Sequence, residues 1–180
     1  KGKELSLQRP LKATLLPIRT TGVRGDARHY AQPLSIKEKL SWEQCRQLSD
    51  EITRNFPEIS RVVLQLSGDD EGYCYPIEQY CNRHTLDRLR LYDSVVTRFL
   101  HRHNLYDSVW QMPVVLLPLK HHHKNVVVLR PINSSEAMTA TFAEIEQELL
   151  EELIKELSAL GVATLLYDIT DKPPATIEWE

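Results

Sequence analysis

Cysteine is scarce in this chain: among its 180 residues the only cysteines are Cys45, Cys74 and Cys81. No two of them have the C-x-x-C spacing of a structural zinc site, and an odd number cannot all pair in disulfides. Reduced thiols are typical of the cytosol, where disulfides rarely persist. The cysteine content therefore predicts a cytoplasmic protein without disulfides or structural zinc.

The sequence also lacks a strong net charge and long apolar runs. The formal net charge is −3, which is too small to attract nucleic acid or an anionic membrane. The longest apolar runs, such as residues 113–119, are too short to cross a bilayer. We therefore expect neither nucleic acid nor a membrane among the partners.

Recognisable catalytic motifs are missing as well. The sequence contains no Gly-x-Ser-x-Gly, no Walker-type phosphate loop and no Cys/His arrangement that looks nucleophilic. From the residues alone, the chain is interpreted as a binding and assembly module without a catalytic residue of its own.

The chain does contain an internal duplication. Residues 114–119 (Val-Val-Leu-Leu-Pro-Leu) echo residues 13–18 (Ala-Thr-Leu-Leu-Pro-Ile), and each run begins a series of strand, strand, helix and strand. This order predicts an α+β fold of two duplicated β-β-α-β units, each a small, mostly antiparallel sheet with a covering helix. We assign residues 1–75 to the first unit, 76–108 to a helical linker, and 109–180 to the second unit with its C-terminal tail.

The local pattern of the first unit predicts a buried strand over residues 11–18 and a loop over 19–28. It predicts a second strand over 29–36, in which Pro33 favours an edge or a bulge. In each unit we expect the first strand to be central, with the third strand beside it.

Two capping-box patterns predict where helices begin, Ser41-x-x-Gln44 and Thr141-x-x-Glu144, and Gly161 predicts the end of the second of these helices. One helix covers only one face of a three-stranded sheet, so the other face must be buried elsewhere. We therefore expect an oligomer, most simply a two-fold dimer.

The triplet His121-His122-His123 suggests a metal site at first sight. In an extended segment, His121 and His123 would share a face and offer two imidazole ligands. No third ligand of suitable type and spacing is evident, and the triplet lies where a loop between strands is expected. A polar loop is the favoured interpretation, and we predict no metal.

The C-terminal tail, residues 172–180, is unusual for a chain end. It reads Lys-Pro-Pro-Ala-Thr-Ile-Glu-Trp-Glu, and its two prolines restrict the backbone before it docks. Lys172 and Thr176 could hold a phosphate together with nearby backbone N–H groups. Alternatively, the tail caps the fold through Trp179 and contacts no ligand.

A glycine-containing segment carries two more candidates. Asp26 and Arg28 follow Gly22-Val23-Arg24-Gly25, a pattern typical both of polar-ligand recognition loops and of ordinary tight turns. Gln111 could hydrogen-bond to a base or a phosphate, but an isolated glutamine is not diagnostic.

Three motifs carry a resemblance to a known family, the glutamine-hydrolysing GMP synthases. The tail, preceded by Tyr167-Asp168, resembles the C-terminus of that family. Residues 16–30 (Leu-Pro-Ile-Arg-Thr-Thr-Gly-Val-Arg-Gly-Asp-Ala-Arg-His-Tyr) are similar to its Leu-Pro-(Ile/Val)-Lys-Thr-Val-Gly-Val-x-Gly-Asp-x-Arg-x-Tyr motif. Gln111-Met112-Pro113-Val114 resembles the long form, whose C-terminal region contains two repeats.

The resemblance implies a C-terminal region that dimerises and completes the site for xanthosine 5′-monophosphate (XMP). In the family, an amidotransferase domain releases ammonia from glutamine, an ATP-pyrophosphatase domain adenylates XMP, and ammonia then displaces AMP to give GMP. Those two domains of the same enzyme are implied partners, with ATP and Mg implied for the full enzyme and no cofactor in this segment. The positions that match the family's XMP contacts are Asp26, Arg28, Gln111, Lys172, Ile177 and Glu178.

Departures from the family limit what this segment does alone. The Ser-Gly-Gly-Val-Asp-Ser loop of the pyrophosphatase domain is absent, and no cysteine has the setting of an amidotransferase nucleophile. We therefore expect the isolated chain to be inactive. The alternative interpretation is a stand-alone dimerisation or purine-nucleotide-sensing module without catalytic activity.

Overall fold

A computed structural model describes residues 10–25, 27–69 and 74–179 of the chain. The helices in these residues are α1 (Trp42–Asn55), α2 (Arg83–Arg102) and α3 (Gln147–Ala159). The strands are β1 (Ala13–Leu15), β2 (Thr20–Arg24), β3 (Ala27–Ile36), β4 (Ile59–Gln65), β5 (Tyr75–Pro76), β6 (Val114–His121), β7 (Lys124–Leu129), β8 (Ile132–Asn133), β9 (Thr141–Phe142) and β10 (Val162–Asp168). This is an α+β fold, as the sequence predicts.

Eight strands from both repeats form one sheet, in the order β1-β3-β4-β10-β7-β6-β5, with β2 paired to β3, whereas β8 and β9 form a separate pair. In the first repeat, β1 and β3 are antiparallel, and α1 then crosses over to the parallel neighbour β4. In the second repeat, β6, β7, α3 and β10 follow the same scheme. The antiparallel pair β4–β10 joins the two repeats, so they share a sheet instead of each forming its own.

The expectation that the first strand of each repeat is central is wrong. The second strand, β3 or β7, lies between the first and the third. A helix that follows a strand returns the chain to a parallel neighbour of that same strand. This crossover requires the second and third strands to pair, which leaves the first strand on the outer side.

The helices pack together on one face of the sheet and bury the larger apolar core. α1 contributes Cys45 and Ile52, α2 contributes Tyr92 and Phe99, and α3 contributes Leu153, and each of these side chains is fully buried. The segment predicted as a helical linker therefore places its helix α2 against the shared core.

The opposite face of the sheet carries a second apolar cluster. Its buried members are Leu16, Val63, Leu117, Leu119, Val126, Val128 and Leu166. Ile18, Cys74, Val115 and Trp179 are partly buried against them. Segments of the same chain thus cover this cluster, so its burial does not by itself require a second copy.

The strand predicted over residues 11–18 is shorter than expected and is not buried. Only residues 13–15 are in β1, and all three are exposed, whereas the next residue, Leu16, is 3% exposed. The apolar run turns inward only at Leu16, whose N–H donates to the carbonyl of Pro33 at 2.9 Å. The run therefore contributes one core side chain and one short strand at the end of the sheet.

The loop predicted over residues 19–28 is mostly a β-hairpin, because β2 pairs with β3 from Thr20 opposite Ala31 to Arg24 opposite Ala27. Thr20 and Thr21 are buried, and β-branched side chains favour extended backbone. Gly25, at φ +57°, lies at the turn. In β3, which lies between β1 and β4 and is not an edge strand, the pairing to β4 shifts register between Gln32 and Pro33. This shift agrees with the bulge, one of the two alternatives predicted for Pro33.

One of the two predicted helix caps is correct. Ser41 caps α1 with a complete capping box: Gln44 N–H donates to Ser41 Oγ at 3.2 Å, and the Gln44 side chain accepts from Ser41 N–H. Thr141 caps no helix, because it pairs with Asn133 in the two-stranded sheet β8–β9. α3 begins later and lacks a side-chain cap hydrogen bond.

Gly161 follows α3 at φ +90°, a conformation suited to glycine after a helix, as predicted. None of the helices in the described ranges is both long and apolar enough to span a membrane.

Candidate functional site

The tail that follows β10 lies between the two repeats. Val23 N–H in the β2–β3 hairpin donates to the carbonyl of Pro174 at 2.7 Å, and Ala175 is fully buried beside Gly22. Earlier in the tail, Lys172 exchanges two backbone hydrogen bonds with Ala140, at 2.7 and 3.1 Å. The tail therefore connects the glycine-containing hairpin of the first repeat to the segment between β8 and β9 of the second.

A buried cluster of charges lies under the tail. Arg61 on β4, Arg130 after β7 and Asp168 at the end of β10 all have fully buried side chains. Arg61 Nη1 lies 2.9 Å from Asp168 Oδ2, and Arg130 Nη1 lies 3.3 Å from Asp168 Oδ1. Asp168 thus forms an ion pair with two buried guanidinium groups at once.

The tail supplies acceptors for further Nη donors of these arginines. Arg61 donates from Nη1 to the carbonyl of Thr176 at 3.1 Å, and from Nη2 to Thr176 Oγ1 and the carbonyl of Glu178, both at 2.6 Å. Arg130 Nη2 donates to the Thr176 carbonyl at 3.2 Å. Carbonyl and hydroxyl oxygens of the tail thus accept hydrogen bonds from both buried guanidinium groups.

Trp179 completes this arrangement. Its Nε1–H donates to Asp168 Oδ2 at 2.8 Å, and its ring lies 5.1 Å from the Arg61 guanidinium carbon in cation–π geometry. The tail therefore docks through hydrogen bonds and a cation–π contact as well as through apolar packing.

The ionised form of Asp168 is favoured despite its burial. Burial raises the pKa of this carboxyl, but Arg130, Arg61 and the N–H of Thr170 together lower it by more than burial raises it. The net effect holds the pKa below its ordinary value. Asp168 consequently stays charged under physiological conditions and balances part of the charge of the two arginines.

The hydrogen bonds of the tail indicate a structural role for Thr176. Its hydroxyl accepts from Arg61 and donates to the carbonyl of Glu178, and Ala175 N–H donates to the carbonyl of Asp171. Thr176 therefore fixes the tail to the fold, whereas the sequence suggested it as a phosphate ligand. Lys172 is the member of that suggested pair whose side chain remains beside an open space.

An open pocket of about 770 Å³ lies at Lys172. Hydroxyl and amide side chains, three carboxylates and the indole of Trp110 surround it. The lining residues are Asp50, Asp107, Ser108, Trp110, Asn133, Ser134, Ser135, Thr139, Ala140, Thr141, Asp171, Lys172 and Pro173. The volume lies in the range of small-molecule sites, and the polar lining suits a polar ligand.

The charges of the pocket are uneven. Lys172 is its one cationic side chain among the described residues, and Nζ donates to the carbonyl of Ala137 at 2.6 Å. Asp50, Asp107 and Asp171 also line the pocket. A phosphate would be attracted to the Lys172 end, and the carboxylates are better suited to accept hydrogen bonds from a sugar or a base.

The structure separates the sequence-predicted contacts into two groups. Lys172 lines the pocket. Gln111 adjoins it, because Gln111 follows the lining residue Trp110 in the chain and its backbone pairs with Ile132, the residue before the lining residue Asn133. Ile177 and Glu178 lie farther along the tail, where the Glu178 side chain is exposed.

The remaining two predicted contacts belong to the β2–β3 hairpin. Arg28 is exposed on β3 opposite Val23, the residue whose N–H bonds to the tail. Asp26 lies outside the described residues.

Sequence reasoning missed the buried arginines, although a signal was available. Arg61 begins the apolar run Val-Val-Leu, and Arg130 ends the run Val-Val-Val-Leu. A charged residue within a strand that is otherwise buried indicates a buried partner. Asp168, at the end of Leu-Leu-Tyr, carries the same kind of signal, but nothing in the sequence pairs it with these arginines.

Comparison with known proteins identifies relatives of this chain. Residues 98–179 match the family model described as GMP synthase C terminal domain. Over 181 residues, 98% of the chain, it is 36% identical to a glutamine-hydrolyzing GMP synthase of Leptospira interrogans. It is 29% identical over 198 residues, 94% of the chain, to one of Caenorhabditis elegans, and 42% identical over 105 residues, 53% of the chain, to one of Thermotoga maritima.

The chain accounts for only part of these proteins. It spans 30% of the length of the Leptospira relative, 27% of the Caenorhabditis relative and 21% of the Thermotoga relative.

Proposed function

Because the chain belongs to the GMP synthase C-terminal domain family, we propose that it completes the XMP site of a glutamine-hydrolysing GMP synthase. In this proposal, the other domains of the enzyme supply ammonia from glutamine and activate XMP with ATP and Mg. The chain itself contributes no catalytic residue and acts by holding the nucleotide. A cytoplasmic location is part of the same proposal.

The observation that carries the proposal is the position of Lys172. The tail contacts described above hold its backbone against Ala140, and its side chain lines the pocket of about 770 Å³. A lysine acts on a phosphate as a point charge with three donors, so the ammonium can keep its bond to Ala137 and still bind an oxygen anion. The 5′-phosphate of XMP is the group proposed for this end.

The hairpin and the far part of the tail fit a role around the sugar and base. Arg28, Ile177 and Glu178 lie on the two segments that meet at the Val23–Pro174 hydrogen bond. Carboxylates there would repel a phosphate but accept hydrogen bonds from hydroxyl or base N–H groups. We assign this role to Glu178 and, by its motif, to Asp26.

The test is Lys172→Ala in the full-length enzyme. Loss of a phosphate contact should raise the KM for XMP at least tenfold and leave the KM for ATP within about twofold, since one charge-assisted hydrogen bond contributes about 1.5–3 kcal/mol. Lys155→Ala, at an exposed position of α3, is the matched control and should change neither constant. An equal rise in both KM values for Lys172→Ala would count against the proposal.

Titration of XMP into the isolated chain tests the alternative of a free-standing nucleotide sensor. We expect millimolar or weaker binding, because the missing domains form part of the site. Binding that is tight without them would favour the sensor.

Homodimerisation is the second part of the proposed function. Within the described chain, β1 is at one end of the strand order and its three residues are exposed, with Leu15 46% exposed. At the other end, β5 is only two residues long and includes Pro76, which cannot donate to a further strand. We propose that two copies meet at β1, where an edge strand favours pairing.

A further inference from the structure

Three side chains of types that bind metals come together in the fold, although one of them is far from the other two in the sequence. One ligand atom from each of Asp69, His121 and His122 lies within 4.8 Å of the other two. The sequence offered no third ligand near the histidine triplet. The fold supplies it from the segment after β4, in the first repeat.

The distances suit a tetrahedral zinc site. His121 Nε2 lies 3.5 Å from Asp69 Oδ1, and His122 Nε2 lies 3.1 Å from the same oxygen. Zinc binds imidazole nitrogen and carboxylate oxygen at about 2.0–2.2 Å, and tetrahedral angles then separate two ligand atoms by about 3.3–3.5 Å. Both nitrogen–oxygen distances are near this value, and the ligand atoms of the two histidines lie within 4.8 Å of each other.

Gly68 allows Asp69 to reach the histidines. Its φ is +102°, and a Cβ atom at this position would lie 2.8 Å from Thr164 Oγ1 and 3.3 Å from the carbonyl of Ala163. Both facts favour glycine here. The Lys37 ammonium donates to the Gly68 carbonyl at 2.7 Å and holds the segment in place.

Thr164 orients one of the ligands. Its Oγ1 lies 2.7 Å from His121 Nδ1, and the His121 side chain is 4% exposed. When Nδ1–H donates to this hydroxyl, Nε2 keeps the lone pair that faces Asp69. A hydrogen bond on the second ring nitrogen is the usual way in which proteins fix a metal-binding histidine.

Space and access are available. His121, Asp69 and Thr164 line a pocket of about 700 Å³ on the sheet face opposite the helices. Asp69 and His122 are about half exposed, so solvent reaches the cluster. By contrast, His123 lies 2.9 Å from the hydroxyl of Tyr75 and is outside the three-residue group.

We propose that Asp69, His121 and His122 bind one zinc ion, with water in the remaining position. This ion joins the segment after β4 to the β6–β7 turn and so links the two repeats on the side of the sheet away from the helices. The site is separate from the nucleotide pocket, and it does not depend on the proposed function.

The experiment is a titration of chelator-treated chain with Zn²⁺ by calorimetry, and with Co²⁺ as a spectroscopic probe. We expect one equivalent to bind, visible d–d absorption bands typical of four-coordinate Co²⁺, and a Tm that rises with Zn²⁺ because the ion binds the folded state. Asp69→Asn and His122→Asn should each weaken binding at least tenfold. Both positions are half exposed, so the variants should keep the circular dichroism spectrum of the parent.

His123→Asn is the matched control and should bind Zn²⁺ within about twofold of the parent. Thr164→Val should weaken binding about tenfold through loss of orientation of His121. If Asp69→Asn leaves the affinity unchanged, or His123→Asn weakens it as much as His122→Asn, the metal binds to the histidine tract without the proposed ligand set and the proposal is wrong. A chain that binds no Zn²⁺ would also overturn the proposal.

Discussion

At the scale of single residues, the docking of the tail depends on Asp168. This carboxylate contacts both buried guanidinium groups and accepts from Trp179. Isolated charges are costly to bury, and removing one partner of a buried ion pair leaves the other uncompensated. Loss of the Asp168 charge would remove a buried anionic partner from both guanidinium groups.

Asp168→Asn should therefore destabilise the chain by about 3–5 kcal/mol at neutral pH, measured as the free energy of unfolding in urea. The control is Asp87→Asn, which removes an equally short contact, 2.8 Å to Arg90, at a site where both side chains are more than half exposed. An exposed ion pair contributes at most about 1 kcal/mol. Equal losses from the two substitutions would contradict a structural role for the buried cluster.

The pH dependence of the free energy of unfolding, compared between the parent chain and Asp168→Asn, tests the role of the Asp168 charge independently. The folded state holds the pKa of Asp168 below its ordinary value of 3.8. A depressed carboxyl pKa contributes stability above the unfolded pKa, and this stability is lost as pH falls through the folded pKa. The stability difference between parent and Asp168→Asn should therefore be constant from pH 5 to pH 7 and shrink below about pH 4.

At the scale of secondary-structure elements, two similar capping patterns have different fates. Ser41 makes both hydrogen bonds of a capping box, whereas Thr141 is exposed in the two-residue strand β9. The next residue explains the difference, because Phe142 N–H donates to Asp171 Oδ1 at 2.9 Å and its side chain is buried. A long-range contact with the start of the tail thus replaces the local helix signal.

Ser41→Ala should lower the free energy of unfolding by about 1 kcal/mol, since it removes the acceptor for Gln44 N–H. Thr141→Ala should change it by less than about 0.5 kcal/mol, because an exposed side chain without a capping role contributes little. Urea denaturation followed by far-UV circular dichroism measures both. A larger loss of stability for Thr141→Ala would indicate that Thr141 caps a helix, as the sequence pattern predicts, and contradict its position in β9.

The sequence predicts those elements that are determined by neighbouring residues, and it predicts less well those that are determined by contacts between distant parts of the chain. The cap at Ser41 and the end of α3 at Gly161 each follow from the chemistry of one residue, and each is as predicted. The register shift at Pro33 has an equally local cause, and it agrees with one of the two alternatives predicted there. The β2–β3 hairpin was missed because its glycines suggested a loop, while Thr20 and Thr21 are buried by distant parts of the chain. Burial of that kind leaves no periodic signal in five residues.

At the scale of the whole molecule, the sequence predicts the duplication but not how the two repeats pack together. Apart from the additional strand β2 in the first repeat and β8 and β9 in the second, both repeats have the order strand, strand, helix, strand, and the parallel pairs β3–β4 and β7–β10 follow from it. The antiparallel pair β4–β10 depends on two segments about a hundred residues apart, and their apolar sequences specify burial but no particular neighbour. The same distance separates Arg61 from Asp168, so the charge cluster could be suspected from its residue types but not paired.

The single shared sheet also changes the physical argument for a dimer. Apolar burial no longer requires a second copy, because the second cluster is covered within one chain. The proposed contact is instead the exposed edge strand β1, which would extend the sheet by backbone hydrogen bonds. Such an interface depends on the edge and on the apolar side chain Leu15, which is almost half exposed.

Light scattering after size exclusion should give twice the 20.9 kDa chain mass at high concentration. Leu15→Asp should weaken the dimer at least tenfold, because it places a charge on the contact strand and a second, like charge on the symmetric copy. Leu160→Asp, at a 36% exposed position just after α3, adds the same charge away from β1 and should leave the dimer intact. A monomer at every concentration would remove the assembly role from the proposed function. A dimer that both substitutions leave unchanged would keep that role but place the interface on another surface.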